Sequence, residues 1–149
     1  MDIVRVFKDY CDNNDFFFGY GTTFIQNLLT NPQDHTADKI HLLLEPVRRR
    51  SEISSGGLNV TTRLYSGKYL LVLRDDYDLH YFNEKGSNPA TSKYTTRIEP
   101  LLTVYAALEK RLMACDGFDV VFHDNIDITD VLDANMTGLL CNFQIRQFT

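Results

Sequence analysis

No stretch of this sequence approaches the ~18 consecutive apolar residues that a membrane-spanning helix needs, so a membrane role is not expected. The opening segment, Met1 to Asp15, alternates charged with apolar residues and lacks an uninterrupted apolar core, which predicts no secretory signal. Cysteine is scarce. Cys11, Cys115 and Cys141 are odd in number, far apart and set in apolar surroundings, a pattern that suits buried reduced thiols rather than a disulfide framework. This favours a reducing compartment. Concentrated positive charge is scarcer still: Lys and Arg total 15 against 20 Asp and Glu, for a formal net charge of -5. General attraction to a phosphate backbone would therefore need a segregated basic patch, and only the run Arg48, Arg49, Arg50 approaches one.

The motifs of common chemistries are missing as well. The histidines are His35, His41, His80 and His123, and none stands at a metal-ligand interval from another histidine or a cysteine, as in CxxC or HExxH. No metal is expected. Two acidic clusters occur, Asp75-Asp76-Asp78 and Asp124-Asp127-Asp130-Asp133. The three-residue interval of the second would gather oxygen ligands only on a helix, and a calcium loop's glycine and terminal glutamate are absent. Both clusters read as solvated carboxylates. There is no GxSxG turn to carry a nucleophile, and Cys115 and Cys141 lie on apolar patterns where a thiol packs as a small hydrophobe. Gly19-Tyr20-Gly21 lacks the lysine of a phosphate loop and the third glycine of a dinucleotide site, so a bend or bulge explains it. No catalytic residue and no cofactor are expected. A hydrolase assembled from distant positions would require His123 and Cys115 to converge in a cleft.

What is present is the composition of an ordinary folded chain: 149 residues, 44% hydrophobic and 23% charged, enough for one core and one domain over residues 1–149. Ile3, Val4, Phe7, Tyr10 and Cys11 make an apolar stripe on a first helix that frays by Asp12 to Asn14. Phe16 to Phe24 favours extended structure, although Phe24, Ile25, Leu28 and Leu29 also fit a helix face. Lys39 to Leu44 is a short strand whose end or edge is marked by Pro46, and Arg48 to Gly57 reads as an exposed loop or hairpin tip.

From Leu58 to Leu73 a long strand should bury the phase of Tyr65, Gly67, Tyr69, Leu71 and Leu73. A second helix, near Tyr94 to Ala114, presents Ile98, Leu101, Leu102, Tyr105, Leu108 and Leu112 on one face. Pro100 within it means that the regular helix either starts near Glu99 or kinks there. Two short strands follow, Phe118 to His123 and Asn125 to Leu132. In Gly138 to Phe148, Leu139, Cys141, Phe143 and Ile145 alternate with Leu140, Asn142, Gln144 and Arg146, as in a strand with one face on the core. The fold class is α+β, with a mainly antiparallel or mixed sheet and two main helices on one face.

The order of these segments carries a resemblance. A helix leads to a strand closing on Leu44-Glu45-Pro46, then to a polar excursion through Gly56-Gly57 and a strand Ser66-Gly67-Lys68-Tyr69-Leu70-Leu71-Val72-Leu73. After the helix through Ile98-Glu99-Pro100-Leu101-Leu102, the chain ends in Asn135-Met136-Thr137-Gly138-Leu139-Leu140-Cys141-Asn142-Phe143-Gln144-Ile145. This resembles the small tail-terminator and tail-completion proteins of tailed bacteriophages, especially those of Bacteroidetes hosts, including crAss-like phages. The resemblance implies a structural virion protein without catalytic residues. It would assemble in the bacterial cytoplasm as a hexameric or dodecameric ring at the head-tail junction or tail terminus. Its partners would be further copies of itself and the neighbouring portal, neck and tail proteins, with DNA passing through the lumen. In such a ring Arg48, Arg49 and Arg50 would meet Asp75, Asp76 and Asp78 of the next copy, making these six the candidate subunit-interface residues. The alternative is a small cytoplasmic protein-binding module without catalytic activity.

Overall fold

Burial follows the predicted stripes closely enough to locate both helices and the long strands. The computed structural model describes residues 2–22, 39–75, 80–82, 88–131 and 135–148; the segment around Phe24 to Leu29 lies outside them. Helix α1, Ile3–Asn13, buries Ile3, Val6, Phe7 and Cys11. It stops where Asp15 takes a left-handed conformation at φ 57°, a position that Asp tolerates better than most side chains, while the Phe16 amide donates to the Cys11 carbonyl.

The chain then enters a six-stranded sheet. Strand β1, Phe17–Tyr20, runs parallel to β2, His41–Leu44, so the sheet is mixed. All four residues of β2 are buried, because β1 flanks it on one side and β4, Val60–Arg74, on the other. Pro46 thus marks the end of β2, which is an interior strand rather than an edge. Strand β3, Arg48–Ile53, pairs with the first half of β4, while β2 pairs with its second half. Of the segment expected as an exposed loop or hairpin tip, the first part is an edge strand, and the hairpin turn lies at Ser54 to Asn59. There the Gly57 amide donates to the Ser54 carbonyl at a φ of 69°.

A helical stretch follows, opening with a π turn over Tyr94–Ile98 and continuing as α2, Glu99–Met113. Of the two expectations for Pro100, the first is met: the regular α-helix begins at Glu99, with Pro100 in its first turn directly after the π turn. Strand β5, Phe118–Val131, is one continuous strand where two were expected. Register shifts between Val120 and Phe122 and between Ile128 and Val131 accommodate its irregular pattern. Strand β6, Met136–Phe148, inserts between β4 and β5, giving the order β1-β2-β4-β6-β5.

Both helices contribute to one buried cluster against the same sheet face, which is the expected α+β arrangement. The Phe7 ring lies 5.1 Å from Tyr69 and 5.2 Å from Phe143, so α1 is pinned over β4 and β6. Full burial of one such ring stabilises by about 1.5–3 kcal/mol. Ile98, Leu101, Leu108 and Leu112 bring α2 into the same cluster with Leu71, Leu139 and Ile145. Close approach here requires Gly138: a Cβ on it would stand 2.1 Å from the Leu71 carbonyl oxygen and 2.7 Å from the end of Leu101. The opposite face holds a smaller buried cluster of Leu43, Leu70, Val72 and Met136. Further along that face it turns polar, at Ser66, Lys68, Asn142, Gln144 and Arg146.

Candidate functional site

Three polar constellations stand out, and two are enclosed. In the first, His123 on β5 is gripped from both ring nitrogens. Its Nδ1 lies 3.0 Å from Glu109 Oε2 of α2, its Nε2 lies 2.7 Å from the Tyr69 hydroxyl of β4, and Tyr105 stacks on the ring at 4.1 Å. An ionised carboxylate only accepts, so we assign the proton to Nδ1, which donates to Glu109, while Nε2 accepts from the Tyr69 hydroxyl. The order carboxylate, imidazole, hydroxyl is that of a nucleophile-activating relay. Its electrostatics run the other way. Burial lowers the His123 pKa, against the opposing pull of Glu109. Burial also raises Tyr69 well above its ordinary value and pushes the neighbouring Cys141 thiol up to about 12. Tyr69 and Cys141 have no exposed surface, so no substrate reaches them. Cys115 meets Arg111, whose Nη1 donates to its sulfur at 2.9 Å, instead of joining His123. Sequence reasoning singled out His123 but not Glu109, Tyr69 or Tyr105, which no local spacing links to it.

In the second, Asp75 sits where β4 ends, and it is not the solvated carboxylate expected at an interface. Its side chain is wholly buried, 3.0 Å from Lys93 Nζ and 3.7 Å from Arg97 Nε, and it accepts from the Thr137 hydroxyl. Lys93, itself 5% exposed, also donates to Asp130 at 2.6 Å. Burial works against the Lys93 charge, but the hydrogen bonds to Asp130 and Asp75 prevail and its pKa is raised. Asp75 is thus used within the fold. Asp76 and Asp78 lie outside the described residues, as does Asp133. Among the described residues no group of three or more His, Cys, Asp or Glu is placed to hold a metal ion.

The third constellation is open. All six residues of β3 are exposed. Arg49 is committed to the start of α1, where its guanidinium donates to both Asp2 carboxylate oxygens at 3.0–3.3 Å. Arg48 and Arg50 point to the other face and have no ion pair among the described residues. Beside the strand lies an open cavity of ≈ 690 Å³, with Arg49, Arg50, Arg63 and Tyr65 in its lining. The hairpin continues outward to Ile53, Leu58 and Val60, of which Leu58 is 85% exposed.

The far edge of the sheet has the opposite charge. Strand β5 carries Asp119, Asp124, Asp127 and Asp130 with no lysine or arginine, and none of its residues is fully buried. Val121, Phe122 and Ile126 stand exposed among these carboxylates. The sign asymmetry of this segment was visible in the sequence, although the strand's place at the edge was not. Comparison with protein-family models, curated proteins and solved structures finds no match to this chain.

Proposed function

We propose that this chain is a structural subunit of a phage virion, assembling into a ring at the head-tail junction or tail terminus and acting without catalysis. The observation that carries the reading is the β3–β4 hairpin, which holds an edge strand exposed at all six residues and ends in apolar side chains in solvent. A monomer gains nothing from exposing an unpaired strand edge beside apolar residues, whereas a subunit buries both on assembly. The enclosure of His123, Tyr69 and Cys141 supports the same reading, since the groups best suited to chemistry serve as core. The proposed location rests on the resemblance of the segment order to that of tail-terminator and tail-completion proteins. The ring's other contacts would be portal, neck or tail proteins, and its lumen would pass DNA.

The test is location. Mass spectrometry and immunogold labelling of purified phage particles should find the chain in intact virions, at the neck or tail end. Absence from intact particles would sink the reading in favour of a cytoplasmic protein-binding module.

A further inference from the structure

Among the described residues the β3 and β5 edges of the sheet are complementary, and we infer that the partner of the basic β3 edge is the acidic β5 edge of a second copy, making one sheet continuous across subunits. This rests on the assembly reading above and specifies its interface. Charge is the first argument. Beyond Arg49, which is held by Asp2, strand β3 carries Arg48 and Arg50; beyond Asp130, which is held by Lys93, β5 carries Asp119, Asp124 and Asp127, with Asp119 3.8 Å from Arg146. Apolar surface is the second: Ile53 and Val60 on the hairpin, and Val121, Phe122 and Ile126 on β5, are exposed on both sides of the prospective contact.

Strand direction is the third. Strand β3 is antiparallel to β4, β4 to β6 and β6 to β5, so β3 and β5 are antiparallel to each other. A rotation about an axis lying roughly along the strands preserves their direction. It therefore brings β5 of one copy against β3 of the next in the antiparallel sense that most of the sheet already uses. Register agrees. Arg50 stands level across the sheet with Leu64, Arg146 and Asp119, and Arg48 with Ser66, Gln144 and Phe122, with Asp124 two residues beyond Phe122. All lie on the face opposite the helices. Level copies thus set Arg48 and Arg50 between Asp119 and Asp124 of the neighbour. Such a contact joins two different surfaces, so it propagates head to tail and closes into a ring when the rotation permits.

The test uses two charge-reversed forms of the full chain, Arg48→Glu/Arg50→Glu and Asp119→Lys/Asp124→Lys, with self-association followed by sedimentation velocity across concentration. Circular dichroism and thermal unfolding establish that each form is folded. Wild type should associate, and raising salt from 50 to 500 mM, roughly a threefold change in screening length, should weaken it. Each reversed form alone should need at least tenfold higher concentration to associate. An equimolar mixture of the two should regain assembly, because each reversed edge then meets its complement. Association of wild type that neither reversal weakens overturns this interface and leaves the ring reading standing. Weakening by the arginine reversal alone, without rescue in the mixture, assigns β3 to a different partner and also overturns it. A wild type that stays monomeric overturns the edge pairing, and the virion reading is then judged by particle location alone.

Discussion

At the scale of single residues, the buried imidazole of His123 makes stability depend on pH. Burial holds the folded pKa of His123 below the ordinary 6.5, against the opposing pull of Glu109. The unfolded chain then binds the extra proton more readily. Stability from this group is complete above pH ~6.5, falls as pH drops below that value, and is fully lost once pH passes the lowered folded pKa. Urea unfolding at pH 7.5, 6.5 and 5.5 should show wild type losing more stability across this range than His123→Gln, which has no titrating imidazole. Equal slopes would show that the histidine does not contribute. The sequence marked His123 only as a single histidine, exposed or satisfied, outside any metal-ligand spacing. It could not name Glu109, 14 residues away on a helix, or Tyr69, 54 residues away on another strand, because only the completed sheet brings them together.

At the scale of elements, the joint between the π turn and the ends of β4 and β5 is electrostatic. Lys93, just ahead of the π turn, reaches Asp75 and Asp130; Arg97 within the turn donates to the Arg74 carbonyl at 2.8 Å. Lys93 keeps Asp130 when Asp75 loses its charge, so Asp75→Asn removes one of two carboxylates from a buried cation and should cost about 1–3 kcal/mol in denaturant unfolding. A second change, Lys93→Met, should recover part of that loss. A loss under about 1 kcal/mol for Asp75→Asn, within the range of an exposed pair, would show the network to be solvated. The same joint explains where sequence reading stopped short. Periodicity located α2 and its buried face, and Pro100 narrowed its start to two options; a π turn as the route into the helix has no sequence pattern of its own. Strand β5 was read as two pieces because its bulges break the alternation that a regular strand would show. Asp75 was assigned to solvent because aspartate is rarely buried, a default that its cationic partners Lys93 and Arg97 override.

At the scale of the whole molecule, the sheet has two halves of different character. One lies under the helices, with β2 and the second half of β4 buried; the other is the hairpin end, where β3 and the first residues of β4 stand in solvent. The α+β class, the helix faces and the buried phases of β4 and β6 were legible because amphipathic periodicity records burial directly. The hairpin end, proposed above as an interface, was legible only as a basic run. Which strands form the sheet's edges depends on strand order, and strand order depends on pairings such as Thr62 with Phe148, made between residues far apart in the chain.

Strands β4 and β6 run without interruption through both halves, so one hydrogen-bonded ladder passes from a helix-covered interior into water. Amide exchange should record this as a gradient along a single strand. In native-state exchange, Leu71 should exchange only through global unfolding. Protection should decline through Ser66 to Thr62, where brief separation of β3 and the hairpin turn exposes the ladder. Uniform protection along β4 would mean that the hairpin end is as cooperative as the interior. If the chain assembles as proposed, the gradient should flatten from the hairpin end inward, and exchange at residues 60–66 would follow that assembly without a label or a substitution.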